Sequence, residues 1–228
     1  MTRKEEILDG ANEAQKTVIK SIYGKYAVWA TAGSGKTRSI VSRTAYMIEC
    51  GIPADQILMF TFTRKAADEM KARVIKFVGS KAKGITVSTY HSFCGKLLRQ
   101  YAHIVGLQNN FTIYDEEDSM SALKTIIAQD STLQDLDIKD VRNSISVLKE
   151  NLVSPEEAVR RGGNPVQKKI AMIYHSYYKY LRKSNALDFD DLPYFSVKAL
   201  QRSETMKQQV NAQYRYIMAE TSAATIVR

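Results

Sequence analysis

The chain has 228 residues, 44% hydrophobic and 25% charged with 11 Gly and 4 Pro, which excludes wholesale disorder and suits one large α/β domain or a medium domain carrying an insertion. No apolar run is long enough to cross a bilayer, and Met1 to Asp9 lacks the apolar segment of a signal peptide, so a cytoplasmic location is expected. A formal charge of +9 and a pI near 9.4 favour an anionic partner, nucleic acid being the commonest, while Cys50 and Cys94 form no metal-ligand pattern and are expected as reduced thiols partly in the core.

Asn12 to Ile22 reads as a helix, and Tyr26 to Ala30 as a buried parallel strand that runs into a Gly-rich turn. From Lys36, apolar residues recur at three- and four-residue steps until Gly51-Ile52-Pro53 stops the helix. Two more strand and helix pairs follow: Ile57 to Phe62 with Ala66 to Val78, then Ile85 to Thr89 with Ser92 to Tyr101. This alternation predicts an α/β fold, a parallel sheet with helices on both faces. Glu116 to about Lys183 carries only helical periodicity, broken near Pro155 and at Arg161-Gly162-Gly163-Asn164-Pro165. After a helical stretch from Asp190 to Gln209, a single apolar strand returns at Tyr214 to Met218. The expected division is an α/β domain from residues 1–112 and 186–228, with 113–185 as an all-helical insertion. Basic residues are densest at Lys65, Lys71, Arg73, Lys76, Lys81 and Lys83, then at Arg160, Arg161, Lys168 and Lys169.

Between the first strand and its helix lies Ala30-Thr31-Ala32-Gly33-Ser34-Gly35-Lys36-Thr37, the setting a phosphate-binding loop of the G-x-x-x-x-G-K-S/T type requires. Its amides and the positive end of the following helix would cradle a nucleoside triphosphate, most naturally ATP. Gly33 and Gly35 would let the backbone approach, Lys36 would reach the β- and γ-phosphates, and the Thr37 hydroxyl would be a ligand of Mg2+. Ala30 replaces the first glycine, which is tolerable where the turn does not demand positive φ.

Five further segments, in order, resemble superfamily 1 DNA helicases of the UvrD, Rep and PcrA type. Asn12-Glu13-Ala14-Gln15 resembles the N-x-x-Q motif, and Thr37-Arg38 with Arg43-Thr44-Ala45-Tyr46 resembles the helix after the loop. Phe60-Thr61-Phe62-Thr63-Arg64-Lys65-Ala66-Ala67-Asp68-Glu69-Met70 resembles T-F-T-N-K-A-A-x-E-M, with arginine in place of asparagine. Ser88-Thr89-Tyr90-His91-Ser92-Phe93 is similar to S-T-F-H-S-F, and Leu187 to Leu192 repeats L-D-F-D-D-L. The resemblance implies a RecA-like P-loop domain that binds ATP and Mg2+ and contacts single-stranded or partly duplex DNA, in a parent enzyme that unwinds DNA in the 3′ to 5′ direction. It implies that Gln15 recognises adenine, and that Ala32, Gly33, Ser34, Gly35, Lys36, Thr37 and Arg38 complete the nucleotide site, with Lys36 and Thr37 catalytic.

Ligands of an open parallel sheet sit at the carboxyl ends of its strands, so the loops beginning at Thr61 and Thr89 should share an edge with the phosphate loop. Rings flanked by hydroxyls and cations suit single-stranded nucleic acid; Phe62 and Tyr90 are the candidate stacking rings, with Thr61, Thr63, Arg64, Lys65 and His91 as neighbouring contacts. On pattern alone Phe62 reads equally as core, and the resemblance moves it towards contact. His91, by itself, would be read as structural, and its place after Thr89-Tyr90 reverses that. Asp188 reads as the cap of the helix begun by Asp190 and Asp191, and Tyr174, Tyr177, Tyr178 and Tyr180 as packing within the insertion.

One family element is altered. The family's V-D-E-x-Q-D motif pairs an Asp that holds Mg2+ with a Glu that orients the attacking water. After Tyr216-Ile217-Met218 this chain reads Ala219-Glu220-Thr221-Ser222, so Glu220 takes either the Asp or the Glu position and one carboxylate is missing in both registers. With the sequence ending at Arg228 and no second RecA-like domain within it, weak or no hydrolysis by the isolated chain is expected, with a missing C-terminal helicase half as a partner. The alternative is a non-catalytic ATP- and DNA-binding module that regulates or competes with a complete helicase.

Overall fold

The computed structural model describes residues 2–29, 31, 33–133 and 135–220, and the backbone of 224–227. These fall into two compact units, Met1–Phe93 with Lys207–Arg228, and Cys94–Met206. No helix among the described residues is long and apolar enough to cross a membrane.

The first unit opens with α1 (Arg3–Leu8) and α2 (Glu13–Lys20), followed by β1 (Tyr26–Trp29), α3 (Lys36–Glu49), β2 (Ile57–Thr61), α4 (Arg64–Val78) and β3 (Thr86–Thr89). Asn12 starts α2 by a reciprocal box: its side chain accepts from the Gln15 amide while Gln15 accepts from the Asn12 amide. Cys50 forms the C-cap of α3 and is exposed, contrary to the expectation of partial burial, because its position lies past the last apolar turn.

Helix α5 (Tyr90–Tyr101) leaves this unit for the second, which holds β4 (Thr112–Ile113), α6 (Glu116–Ala128), α7 (Ile138–Glu150), α8 (Pro155–Arg161), α9 (Pro165–Lys183), β5 (Ala186–Leu187) and α10 (Asp191–Arg202). Helix α11 (Glu204–Gln213) returns the chain to β6 (Tyr216–Glu220) and β7 (Ala224–Val227).

The sheet of the first unit has the order β1-β7-β6-β2-β3. Strands β6, β2 and β3 are mutually parallel, and β7 lies antiparallel to both β1 and β6, so β1 keeps the common direction. Four strands therefore end at one edge, as the alternation predicts. Two expectations fail. A second strand, β7, follows the single one expected, its four residues being too short for periodicity to reveal. Strand β1 is not buried: three of its four residues are exposed, Trp29 at 76%, because it forms the sheet margin. An apolar run does not tell a marginal strand from a central one.

Alternation along β2 divides its side chains between two cores. Met59 joins Ile40, Val41, Ala45 and Met47 of α3 and Met70 and Val74 of α4, while Leu58 and Phe60 pack with Ala219, Phe93 and Tyr214 on the other face. Arg43, fully buried in α3, donates to the Val18 carbonyl at 2.7 Å and the Ile22 carbonyl at 3.2 Å, where α2 ends. Burial pushes its guanidinium down to about 10. That clamp fixes α2, and Gln15 with it, against the helix that carries the phosphate loop.

The second unit is helical apart from the β4-β5 pair. Helices α6 to α9 start where the sequence supplies a cap: Asp115 for α6, Asp137 for α7, Ser154 before Pro155, and Asn164 before Pro165 in a box with Gln167. Leu123, Val141, Ile145, Ala171, Tyr174, Tyr177 and Leu181 build the core, which places Tyr174 and Tyr177 in the packing role expected of them. Asp188 accepts from the Asp191 amide at 2.9 Å, the expected cap, and Asp191 returns the bond at 3.2 Å. Between the two carboxylates lies the Lys149 ammonium, at 2.6 Å from Asp188 and 2.8 Å from Asp191, and the Tyr177 hydroxyl donates to Asp188 at 3.0 Å. The compact unit is longer than the expected insertion because α10 packs on Ala102–Val105 and on α7.

Candidate nucleotide and nucleic-acid sites

The N-cap of α3 is Gly35, which offers no side-chain acceptor, so the first-turn amides of this helix point at whatever anion approaches. Gly33 and Gly35 both adopt left-handed backbone, with φ of 78° and 84°. Their reasons differ. A Cβ on Gly35 would stand 3.0 Å from the Gln15 side-chain nitrogen, whereas one on Gly33 would meet nothing within 4 Å, so only backbone conformation demands glycine there. Ser34 folds the loop by donating through its hydroxyl to the Thr31 carbonyl at 2.7 Å, and the Lys36 ammonium donates to the same carbonyl at 3.3 Å.

Gln15 is committed on both sides of its amide: Oε1 accepts from Asn12 at 3.0 Å, and Nε2 donates to the Ser34 carbonyl at 3.0 Å. A cleft of about 170 Å3 opens here, lined by Gln15, Val28, Trp29, Ser34, Lys36 and Ser39. Arg38 points away from the loop and donates to the Asp9 carbonyl at 2.7 Å. Ala30 and Ala32 lie outside the described residues.

The carboxylate of Glu220, the last residue of β6, accepts a hydrogen bond from the Thr37 hydroxyl through Oε1 and one from the Thr61 hydroxyl at 3.3 Å through Oε2. Glu220 is thus bonded to the Thr37 hydroxyl, the group expected from the sequence to ligate Mg2+. Thr221, the other member of the pair, lies outside the described residues. A hydroxyl and one carboxylate are hard oxygen donors that suit Mg2+ completed by phosphate and water. No group of three or more His, Cys, Asp or Glu that could hold a metal ion occurs among the described residues.

Next to this site lie the two loops expected to contact nucleic acid. Phe62, one residue past β2, is 61% exposed, while Phe60 is buried, so the ring that could equally have been core is at the surface. Tyr90 is 37% exposed and stacks on Phe60, ring centroids 4.4 Å apart and planes 14° from parallel. Burial raises its phenol above the usual value. Thr63 caps α4, its hydroxyl accepting from the Ala66 amide at 3.1 Å, and Arg64 and Lys65 are exposed in the first turn. His91 is half-buried in the first turn of α5. Thr61 does not fit its expected role: it is 2% exposed and its hydroxyl faces Glu220, because the strand's alternation turns it to the same face of the sheet as Met59.

The model of the UvrD/REP helicase N-terminal domain matches residues 11–220, from the segment before α2 to the end of β6. ATP-dependent DNA helicase UvrD1 of Mycobacterium tuberculosis is 37% identical over 226 residues, covering 95% of this chain and 29% of that protein. UvrD1 of Mycobacterium bovis is 37% identical over the same length, and ATP-dependent DNA helicase PcrA of Staphylococcus aureus is 34% identical over 217 residues, 92% of this chain and 29% of PcrA. The chain thus spans less than a third of the length of these relatives. With the match running through every segment that builds the nucleotide edge, the chain belongs to the UvrD/REP helicase N-terminal domain family.

Proposed function

We propose that this domain binds Mg-ATP at the loop from Gly33 to Thr37 and single-stranded DNA across Phe62 and Tyr90, as the nucleotide-binding part of an ATP-dependent DNA helicase. The observation that carries the reading is the meeting of Thr37 and Glu220 beside a glycine-capped helix N-terminus and Lys36. In this reading, Lys36 and the first-turn amides of α3 would neutralise the β- and γ-phosphates, and Thr37 and Glu220 would hold Mg2+, which would supply charge neutralisation at the terminal phosphate. Gln15 orients the adenine end from α2, and Arg38 contributes once its bond to the Asp9 carbonyl is exchanged. Phe62 and Tyr90 stack bases, with Thr63, Arg64, Lys65 and His91 holding phosphates.

Glu220 spends the one acidic side chain of Ala219-Glu220-Thr221 on the metal side, leaving no carboxylate in that segment to orient the attacking water. We therefore propose tight nucleotide binding with slow turnover, the behaviour of a domain that acts through the rest of a longer helicase or as a non-catalytic module beside one. Calorimetric titration with MgADP, with and without an oligo-dT strand, tests this on the wild type and on Lys36→Ala. Binding that Lys36→Ala weakens at least tenfold supports the reading. No heat with Mg-nucleotide in either setting refutes it, and brisk DNA-stimulated hydrolysis refutes the slow-turnover part.

A further inference from the structure

We infer that Thr61 is a positioning residue for the metal-side carboxylate Glu220, rather than a nucleic-acid contact. The inference rests on the proposed Mg-nucleotide site. Thr61 closes β2 and Glu220 closes β6; these strands are parallel neighbours with Phe60 opposite Ala219, so the two residues sit side by side at the strand ends. The carboxylate is held by two hydroxyls from different elements, one on each oxygen: Thr37 of α3 on Oε1 and Thr61 of β2 on Oε2. One bond alone would let the carboxylate rotate about its last torsion, which is intrinsically broad. Two bonds to separate oxygens fix its plane, and each oxygen retains a lone pair for a cation.

Thr89 provides an internal comparison. It pairs with Thr61 across the β2-β3 register and has the same side chain, yet its hydroxyl donates to Ser92 Oγ at 2.8 Å and accepts from the Ser92 amide at 3.2 Å. Of the two threonines in that row, Thr61 is the one turned towards the carboxylate. A glutamate is one methylene longer than the aspartate of the family motif, so its carboxylate has an additional torsion to restrain. The second hydroxyl supplies that restraint.

The test compares wild type, Thr61→Val and Thr61→Ser by titrating ADP with excess Mg2+ and with Mg2+ removed by chelator, with folding checked by circular dichroism. Thr61→Val should weaken binding about tenfold with Mg2+ and leave metal-free ADP binding unchanged; Thr61→Ser, which keeps the hydroxyl, should stay within about twofold of wild type. Equal losses with and without Mg2+, or a Thr61→Ser loss as large as that of Thr61→Val, would overturn the inference while leaving the nucleotide site intact. Unaltered MgADP affinity in Thr61→Val would do the same. If wild type binds no Mg-nucleotide, both readings fall together. Should Thr61→Val fail to fold, Thr61→Ala replaces it under the same criteria.

Discussion

Replacing Lys149 with methionine removes the charge that holds two buried carboxylates. The Lys149 side chain is 3% exposed, and its ammonium lies 2.6 Å from Asp188 and 2.8 Å from Asp191. At an effective dielectric constant near 20, a unit pair at such a distance is worth about 6 kcal/mol before desolvation is counted. Much of this is recovered when a deprived carboxylate takes up a proton, and methionine fills most of the vacated volume. The net destabilisation at pH 8 should be about 3–5 kcal/mol, the cost of leaving a buried charge without its partner. The pH dependence has a definite sign. In the wild type, burial and the neighbouring Asp188 push Asp191 up to about 7, whereas at Asp188 the effect of burial is outweighed by Lys149 and the carboxyl lies below the usual range. Without Lys149 both carboxyls lie above their unfolded values near 3.9, so the folded state binds more protons and loses stability as pH rises through that interval. The destabilisation should therefore be smaller at pH 5 than at pH 8. Urea unfolding of the whole chain, followed by far-ultraviolet circular dichroism at both pH values, reads it directly. A loss below about 1 kcal/mol at pH 8, or equal losses at both pH values, would refute the reasoning.

Other predictions concern the nucleotide and DNA edges. Gly35→Ala places a Cβ 3.0 Å from the Gln15 nitrogen at a φ of 84°, so it should cost about 1–3 kcal/mol of stability and weaken MgADP binding, measured by thermal unfolding and calorimetry. Gly33→Ala meets no neighbour and should cost less, a ranking the same scans check. Phe62→Ala should lower oligo-dT affinity by about 1–3 kcal/mol in fluorescence anisotropy with the salt slope unchanged; a changed slope would mean that the ring does not act by stacking. Lys65→Ala should instead reduce that slope by somewhat less than one unit, in keeping with a phosphate contact.

The nucleotide edge was legible because its chemistry is local. A strand, a glycine turn, a lysine and a hydroxyl within eight residues are enough to specify a phosphate loop, and the caps at Asn12, Ser154 and Asn164 fix helix starts over three or four residues. Tertiary structure decided whatever depended on residues far apart in the chain. Thr61 and Glu220 are separated by 159 positions, and only the pairing of β2 with β6 turns a residue expected at the DNA surface into the partner of a carboxylate. Strand β1, expected to be buried, is largely exposed: hydrophobicity records a preference for burial but carries no information about which neighbour supplies it. Lys149 gave no sign in the sequence, where an isolated lysine on an amphipathic helix reads as solvated; folding put it between Asp188 and Asp191, and its burial is tolerable because those opposite charges are within hydrogen-bonding distance.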